Sequence, residues 1–247
     1  MPALVRWLLP ASQFSSPAVT DSAVNPEKRR IVLLGPPASG KGTQADRLSK
    51  AFGIPHVSTG ALLRSECTRG TPLGLEADTW TRRGLLVPDE LAVRVVTAWI
   101  AAHGTRFLFD GFPRTVTQAR HLDKELEGMK APLDLIILLE LGDQEIRRRI
   151  LDRISCLACG ATFASTLHCC GDGDPCPRCG NLLVRRNDDT VEALEQRLSS
   201  YRDLTIPVID YYQQTLPTFL HRVNAAEGSE VIFAKLSALV AARKDEG

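Results

Sequence analysis

A glycine-rich stretch at residues 35–43 carries the clearest chemistry in the sequence. It reads Gly-Pro-Pro-Ala-Ser-Gly-Lys-Gly-Thr and fits the phosphate-binding pattern G-x-x-x-x-G-K, with Gly42 between the lysine and the hydroxyl residue. Glycines let the backbone curl so that N–H groups point at phosphate oxygens, and the helix that follows adds its positive end. Lys41 supplies a mobile positive charge for the outer phosphates, and Thr43 supplies a hydroxyl near them or near magnesium. The stretch therefore predicts a nucleoside triphosphate site.

Four cysteines form a second chemical pattern, in which two Cys-x-x-Cys pairs are separated by 16 residues. The sulfurs of Cys156, Cys159, Cys176 and Cys179 can surround Zn²⁺ tetrahedrally at about 2.3 Å. Disulfides are the rival interpretation, but a nucleotide-binding enzyme without a secretory signal is expected in a reducing compartment. Since all four positions are filled by protein, the predicted zinc is structural. Alternative ligands in the intervening loop, which we expect to stay unused, are His168, Cys169 and Cys170.

An acid and several arginines follow predicted strands and helices. Asp110 ends the apolar run at 107–109, where a nucleotide site needs a carboxylate for hydrated Mg²⁺. An obvious nucleophile–base pair is missing from the sequence, which suits phosphoryl transfer, because there the protein mainly positions substrates and neutralises charge. Arginine suits this task because its planar fork binds phosphate bidentately. Spacing alone does not select the functional members among Arg64, Arg114, Arg149, Arg153, Arg186 and Arg197.

Taken together, these motifs resemble the adenylate kinases. The motifs that carry the resemblance are residues 35–43, Ser58-Thr59-Gly60 with Arg64, Asp-Gly-Phe-Pro-Arg-Thr at 110–115 with Gln118, and Arg186 with Asp188, Asp189 and Arg197. The resemblance runs from about residue 30 to the end of the chain. It implies an α/β fold of the P-loop NTPase type, with three layers, a five-stranded parallel sheet, a helical AMP-binding flap and an inserted zinc-ribbon lid. The implied reaction is reversible, Mg²⁺-dependent transfer of the γ-phosphoryl of ATP to AMP, giving two ADP, by a monomer.

Site roles carry over from the resemblance by position. The implied ATP-binding residues are Ala38, Ser39, Gly40, Lys41, Gly42, Thr43, Arg149, Arg153, Thr162 and Phe163. The implied AMP-binding residues are Thr59, Arg64, Leu85, Leu86, Val87, Gly111, Phe112, Pro113, Arg114, Gln118, Arg186 and Arg197. The implied catalytic residues are Lys41, Arg114, Arg153, Arg186 and Arg197, and Asp110 would hold magnesium through water.

Two substitutions within these motifs bear on substrate choice and two depart from the family pattern. Thr59 and Thr115 stand where pyrimidine-preferring relatives typically carry Ala and Asn, so AMP is favoured over UMP or CMP. Ala38 replaces a frequent glycine in the phosphate loop. Ile154 stands where an arginine usually follows Arg153.

The elements that must position these residues alternate along the chain. Continuous apolar runs predict buried strands at 31–34, 107–109 and 135–139, with weaker candidates at 56–57 and 219–223. Helical stretches are predicted at 41–52, 88–102, 144–154 and 190–214, and Pro207 should kink or interrupt the last of them. Alternating strands and helices imply crossovers and a parallel sheet with helices on both faces. The predicted domains are a core at 29–57, 88–151 and 190–247, a flap at 58–87 and a lid at 152–189.

Composition excludes several classes of protein. The 247 residues carry 30 basic and 29 acidic side chains, a formal net charge of +1, which argues against a nucleic-acid binder held by bulk charge. A hydrophobic content of 44% argues against a disordered chain. No apolar run reaches the roughly 18 to 20 residues of a membrane span. We therefore expect ATP and AMP as partners, with no nucleic acid and no membrane.

Other functions remain open from the residues. One alternative is a different nucleoside monophosphate kinase, and another is a zinc-ribbon nucleoside kinase of the thymidine kinase type. A nucleoside lacks the phosphate that Arg64, Arg186 and Arg197 would bind, so the second alternative leaves these residues without a role. A zinc-ribbon ATPase that binds nucleic acid would need a basic face with interleaved aromatics. An inactive scaffold is disfavoured because each phosphate-facing position is filled.

Residues 1–28 differ from the rest of the chain. They hold only two acids, Asp21 and Glu27, with several Ser, Ala and Pro residues and no apolar periodicity. Two interpretations stay open, a transit-like leader or a bland disordered extension. We expect a cytoplasmic protein, or a mitochondrial or plastid one if the segment is a transit peptide.

Overall fold

The computed structural model describes residues 29–81, 87–168, 170–185 and 190–242. The predicted extension at 1–28 lies outside the described residues. The strands are β1 Arg30–Leu34, β2 His56–Ser58, β3 Phe107–Asp110, β4 Leu135–Glu140, β5 Arg153–Cys156, β6 Thr162–Ala164, β7 Leu183–Val184 and β8 Leu220–Asn224. The α-helices are α1 Lys41–Phe52, α2 Thr59–Thr68, α3 Pro72–Thr81, α4 Asp89–His103, α5 Val116–Gly128, α6 Asp143–Leu151, α7 Ser165–His168, α8 Val191–Ser200, α9 Ile206–Thr215 and α10 Ser229–Ala242.

Five strands form a parallel sheet in the order β2-β3-β1-β4-β8. The apolar runs predict this arrangement, because a strand covered on both faces has no reason to alternate polar and apolar residues. All five residues of β1 are buried. The register pairs Asp110 with Leu33 on one side and with Ser58 on the other, so the carboxyl ends of three strands meet at one edge. The predicted five-stranded parallel sheet is confirmed.

Helices cover both faces of the sheet and give the predicted three layers. One face packs against α4, α5 and α9 around large side chains such as Phe109 and Tyr212. The other face packs against α1 and α10, where Leu48 and Leu236 contact the alternate residues of β1 and β4. Burying apolar surface on both faces is the main favourable contribution to the stability of such a sheet.

The chain between α8 and α9 is interrupted as Pro207 predicts. A π-helical turn, Tyr201–Thr205, joins the two helices, and the N–H of Ile206 reaches back to the carbonyl of Tyr201. Proline cannot donate the helical hydrogen bond and its ring crowds the preceding turn, so the helix changes its winding there. The buried Thr205 in this turn donates its hydroxyl to the carbonyl of Arg114 at 3.2 Å.

The segment after α6 is a strand, and the helix predicted to reach residue 154 ends at Leu151. β5 pairs antiparallel with both β6 and β7, and these backbone bonds on two sides replace the helical ones. The resulting three-stranded sheet carries the two cysteine pairs on its turns. A small apolar cluster that includes Ile154, Leu183 and Cys170 lies beneath them.

Two short helices stand between β2 and α4. α2 and α3 cross closely at Gly74, and the Cys67 thiol donates to the Gly74 carbonyl at 3.3 Å. Cys67 packs against the main core cluster. In the part of the chain that the structure describes, no helix combines the length and apolar character needed to cross a bilayer.

Candidate active site

The phosphate loop leaves β1 at Gly35 and enters α1 at Lys41. Gly35 has φ +143°, and a Cβ there would lie 2.5 Å from the carbonyl oxygen of Leu139, so only glycine fits between the loop and β4. The Lys41 Nζ donates to the carbonyls of Gly35 and Pro36, each at 2.8 Å, and to the Ser39 hydroxyl at 3.4 Å. The ammonium group therefore lies over the loop, beside the N-terminal end of α1, where a phosphate would be attracted.

Lys41 has more positively charged than negatively charged neighbours. Burial lowers its pKa to about 8, the charge of Asp110 opposes this shift, and the charges of Arg114 and Arg153 add to it. Asp110 lies against the loop, because a Cβ on Gly42 would be 3.3 Å from its Oδ2 atom. A buried excess of positive charge of this kind favours an anionic ligand.

A histidine that was not among the predicted site residues lies beside Asp110. The His56 Nδ1 is 2.8 Å from the Oδ1 of Asp46, and its Nε2 is 3.8 Å from the Oδ2 of Asp110. Burial alone would lower the pKa of His56, but the two carboxylates outweigh it and raise the pKa to about 9. Burial would raise the pKa of Asp110, and His56, Lys41 and Arg114 instead hold it below its usual value. Asp110 is thus an ionised oxygen ligand, which suits Mg²⁺.

No local signal in the sequence identifies His56, because its place in the site depends on strand pairing. Its strand, β2, is the sheet neighbour of β3, and parallel strands bring their carboxyl ends to the same edge. The pairing of Ser58 with Asp110 places His56 two residues before that edge. Because β2 has only three residues, its apolar pattern predicts the strand weakly and the neighbour relation not at all.

Arg114 and Arg64 meet beside this acid. The Arg114 side chain folds over Gly111, donating its Nε to the Gly111 carbonyl at 2.9 Å. Desolvation lowers the pKa of Arg114, Asp110 opposes the shift and the charge of Arg64 adds to it. Two guanidinium groups whose charges act on each other have the chemistry to bind a phosphate. Gly111 has φ +80°, and Phe112 and Pro113 are joined by a cis peptide bond.

Gln118 and its neighbours form a hydrogen-bonded support behind Arg114. The Gln118 Oε1 accepts from the Arg114 backbone N–H at 2.8 Å, and its Nε2 donates to the Oδ1 of Asp89 at 2.8 Å. Thr115 caps α5 through the Gln118 N–H and donates its hydroxyl to the Oδ2 of Asp89 at 2.8 Å. Asp89 was not among the predicted site residues; its place in the first turn of α4 is a recognisable helix-terminus signal, but nothing local links it to Gln118. The second N–H of the buried Gln118 amide has no partner among the described residues.

The start of α2 provides an orphaned polar atom. Thr59 is 5% exposed, and its hydroxyl oxygen has no hydrogen-bond partner among the described residues. Because an unpaired buried hydroxyl is costly, a ligand that bonds to it would offset that cost. Val87 lies in the main core cluster with Phe112. Leu85 and Leu86 lie outside the described residues.

Arg149 joins the phosphate loop to the end of β8. It donates to the carbonyls of Ala38 at 3.4 Å and Ala225 at 2.7 Å, and to Glu145 at 2.7 Å. Arg153 begins β5 and acts electrostatically on Lys41. Arg197 is half-buried on α8, one residue before the end of its apolar stripe at Leu198. Arg186 lies outside the described residues.

The other predicted ATP contacts lie on the small antiparallel sheet. Thr162 is exposed on β6, while the half-buried Phe163 ring packs against the apolar cluster under the cysteine pairs. Thr43 is exposed in the first turn of α1. The structure therefore brings Lys41, Asp110, Arg114 and Arg153 into one electrostatic group and leaves Thr162 and Phe163 on the small antiparallel sheet.

The four predicted zinc ligands converge. The sulfurs of Cys156, Cys159, Cys176 and Cys179 all lie within 4.8 Å of one another. Cys156 and Cys179 are 3.5 Å apart, and Cys159 and Cys176 are 3.7 Å apart. A tetrahedron with Zn–S bonds of about 2.3 Å has edges of about 3.8 Å, whereas a disulfide needs about 2.05 Å. The cluster therefore fits a structural zinc ion with four thiolates and no open position.

The arrangement of the loop and its neighbours is typical of one class of protein, the P-loop phosphotransferases. In this class the phosphate loop lies between a buried strand and a helix, at the carboxyl edge of a parallel sheet. Cations and a carboxylate surround the loop, as they do here.

Comparison with known proteins narrows this class. The adenylate kinase family model matches residues 33–216. Proteins named adenylate kinase from Clostridium botulinum (strain Loch Maree / Type A3), Carboxydothermus hydrogenoformans and Syntrophobacter fumaroxidans are 38%, 39% and 38% identical to this chain. The matches cover 84%, 84% and 85% of this chain and 96%, 97% and 99% of the relatives.

The chain belongs to the adenylate kinase family. It is a nucleoside monophosphate kinase, a phosphotransferase, and its lid carries a cysteine cluster that fits zinc. The predictions of family, fold class and enzyme class are confirmed.

Proposed function

We propose that the protein catalyses the reversible, Mg²⁺-dependent transfer of the γ-phosphoryl group of ATP to AMP, giving two ADP and balancing the adenine nucleotide pool. The observation that carries the proposal is a cationic group in which Lys41 and Arg114 both act on the carboxylate of Asp110, while the charge of Arg153 acts on Lys41 and that of Arg64 on Arg114. Such a site suits two phosphate-bearing substrates, because each of them adds negative charge to a cationic group.

The proposed roles follow the positions of the side chains. Lys41 neutralises the outer phosphates of ATP over the loop, and the arginine pair Arg64 and Arg114 holds the AMP phosphate. Arg153 and Arg197, with Arg186, offset the charge that spreads over the transferring group. When bound, magnesium supplies further neutralisation of the phosphates, and Asp110 with the Thr43 hydroxyl would hold it through water.

The choice of AMP as acceptor is supported by polar groups near the arginine pair. The orphaned Thr59 hydroxyl and the free N–H of Gln118 are donors or acceptors for a nucleoside. Asp89 fixes the Gln118 amide so that its remaining N–H has a set direction. A site built to bond a polar edge rejects analogues that lack it, because its buried groups then stay unpaired.

We also propose the domain division at 58–87 for the flap and 152–189 for the lid. The flap would hold α2 and α3 and close over AMP, and the lid would hold β5 to β7 and close over ATP. Closure of both would exclude water and so prevent hydrolysis of ATP. The thiolate cluster supports a reducing compartment such as the cytoplasm, and we propose that the enzyme acts there as a monomer.

The test is a coupled assay that offers AMP, GMP, CMP and UMP at matched concentrations with ATP and Mg²⁺. AMP should be the preferred acceptor, and the Lys41→Met variant should lose about 10²- to 10³-fold in kcat. Lys124→Met, at an exposed position of α5, is the matched control and should leave the rate unchanged. A preference for another acceptor, or a near-normal rate in Lys41→Met, would overturn the proposal.

A further inference from the structure

Ala38 occupies a backbone conformation that side chains avoid. Its φ is +57°, in the left-handed region, where the Cβ crowds the following carbonyl oxygen. Among the described residues, the one other non-glycine residue with positive φ is Lys130, with φ +53°, in the turn after α5. Since glycine would adopt this conformation without the penalty, the alanine must be held there by its surroundings.

The Ala38 methyl group supplies a contact that glycine lacks. It packs against an apolar cluster formed by Ile146 and Ile150 of α6 and by Leu194 and Leu198 of α8. The backbone carbonyl of the same residue accepts from Arg149. The phosphate loop is thus attached to both helices through one residue.

These two helices flank the proposed lid in the sequence. α6 ends at Leu151, immediately before the proposed lid at 152–189, and α8 begins at Val191, just after it. Ion pairs from Arg147 to Glu195 and from Arg202 to Asp143 join the same two regions. A shift of the loop at Ala38 would therefore displace the base of the lid, which is the C-terminal end of α6 and the N-terminal end of α8.

We propose that Ala38 is a positioning residue that fixes the phosphate loop to α6 and α8, so that the conformation binding the phosphates of ATP is set together with the base of the lid. This inference rests on the proposed function, because it takes ATP as the ligand of the loop. Glycine at this position would have two opposed effects on the binding conformation, because it removes both the penalty of the positive φ and the methyl contact with the two helices. The contact is therefore isolated by comparing Ala38→Gly in two backgrounds, since the relief of the backbone is the same in both.

The test is Ala38→Gly, read by the KM values for the two substrates. Full burial of one methyl group corresponds to about a fourfold change in an equilibrium constant, which is the upper limit for the half-buried Ala38. We therefore expect Ala38→Gly to multiply the KM for ATP by a factor that is two- to fourfold larger in the parent enzyme than in a background without the contact, while the KM for AMP stays within twofold. Lys130→Gly is the matched control, because it relieves the same backbone strain far from the loop, and it should leave both KM values unchanged.

A second background tests whether the effect passes through the helices. In Leu194→Ala the methyl group has lost a neighbour, so the ratio of the KM for ATP with and without Ala38→Gly should be two- to fourfold smaller than in the parent; Ile146→Val serves if that background does not fold. The same ratio in both backgrounds would overturn the inference, as would an equal change in the KM values for ATP and AMP. Direct titration of ATP onto each variant, without acceptor, separates this result from the proposed function, which fails only if the parent enzyme does not phosphorylate AMP.

Discussion

Replacing His56 by glutamine should change how stability depends on pH. His56 lies between Asp46 and Asp110, its side chain is 18% exposed, and its pKa is about 9 against an ordinary value of 6.5. The folded state therefore binds the proton more tightly than the unfolded state does. Glutamine keeps a hydrogen-bonding amide at this position but carries no charge, so the variant isolates the contribution of the proton.

The direction follows from the raised pKa. Below pH 6.5 both states are protonated and the full stabilisation is present, and it is lost as the pH rises from 6.5 to about 9. A difference of this size corresponds to about 3 kcal/mol at 1.36 kcal/mol per pKa unit. Because water reaches the Asp46 carboxylate, which is 48% exposed, we expect about 2 kcal/mol.

Urea unfolding at pH 6.0, 7.5 and 9.0, without added Mg²⁺ and followed by circular dichroism, measures this difference. The parent protein should lose stability relative to His56→Gln across that range, and groups that titrate in both proteins cancel in the comparison. His121→Gln, an exposed histidine on α5, should give a profile parallel to that of the parent. The assignment of the raised pKa to the two carboxylates would be refuted if the profiles of His56→Gln and the parent were parallel. It would also be refuted if the parent gained stability relative to His56→Gln as the pH rises.

The zinc cluster and the crossing of α2 with α3 give two further predictions. The purified protein should release one equivalent of zinc to a colorimetric chelator. Cys176→Ser should lose the metal and several degrees of Tm, whereas the control Cys67→Ser should retain both. Full zinc content in Cys176→Ser would contradict the ligand assignment. A Cβ on Gly74 would lie 2.0 Å from the Glu66 carbonyl oxygen, so Gly74→Ala should lower the free energy of unfolding by about 1 to 3 kcal/mol in thermal or urea unfolding. Gly128→Ala has open space and should be nearly neutral, and equal stability of both variants would show that the two helices separate freely.

The sheet could be predicted because its strands are buried on both faces. Such strands are continuous apolar runs, and β1, β3 and β4 end within one residue of their predicted ends. α10 escaped prediction because its sequence is apolar almost all round, so it shows little helical periodicity. The end of α6 was misplaced since Arg153 and Ile154 are compatible with a helix, and only pairing with distant strands makes them β5.

The site divides in the same way. Residues close together in the sequence, such as the loop at 35–43 and the cysteine pairs, show their chemistry through spacing alone. The support provided by Asp46, His56 and Asp89 depends on contacts between separate elements, and no local pattern encodes it. The departure at Ala38 was visible in the sequence, but its meaning depends on a φ value and on a packing cluster from two other helices.

The near-neutral charge of the whole chain hides how unevenly that charge is distributed. Surface arginines such as Arg148 and Arg222 lie opposite carboxylates and add little beyond solubility. Lys41 and Arg114 instead share one carboxylate, Asp110, which His56 also approaches, and the charges of Arg153 and Arg64 add to this cationic group. Burying a lysine beside other cations costs stability, and the cost is visible in the pKa of Lys41, which burial first and the charges of Arg114 and Arg153 next lower to about 8. A fold retains such an arrangement when the ligand brings the missing negative charge, which is why this group, rather than the overall composition, indicates phosphoryl transfer.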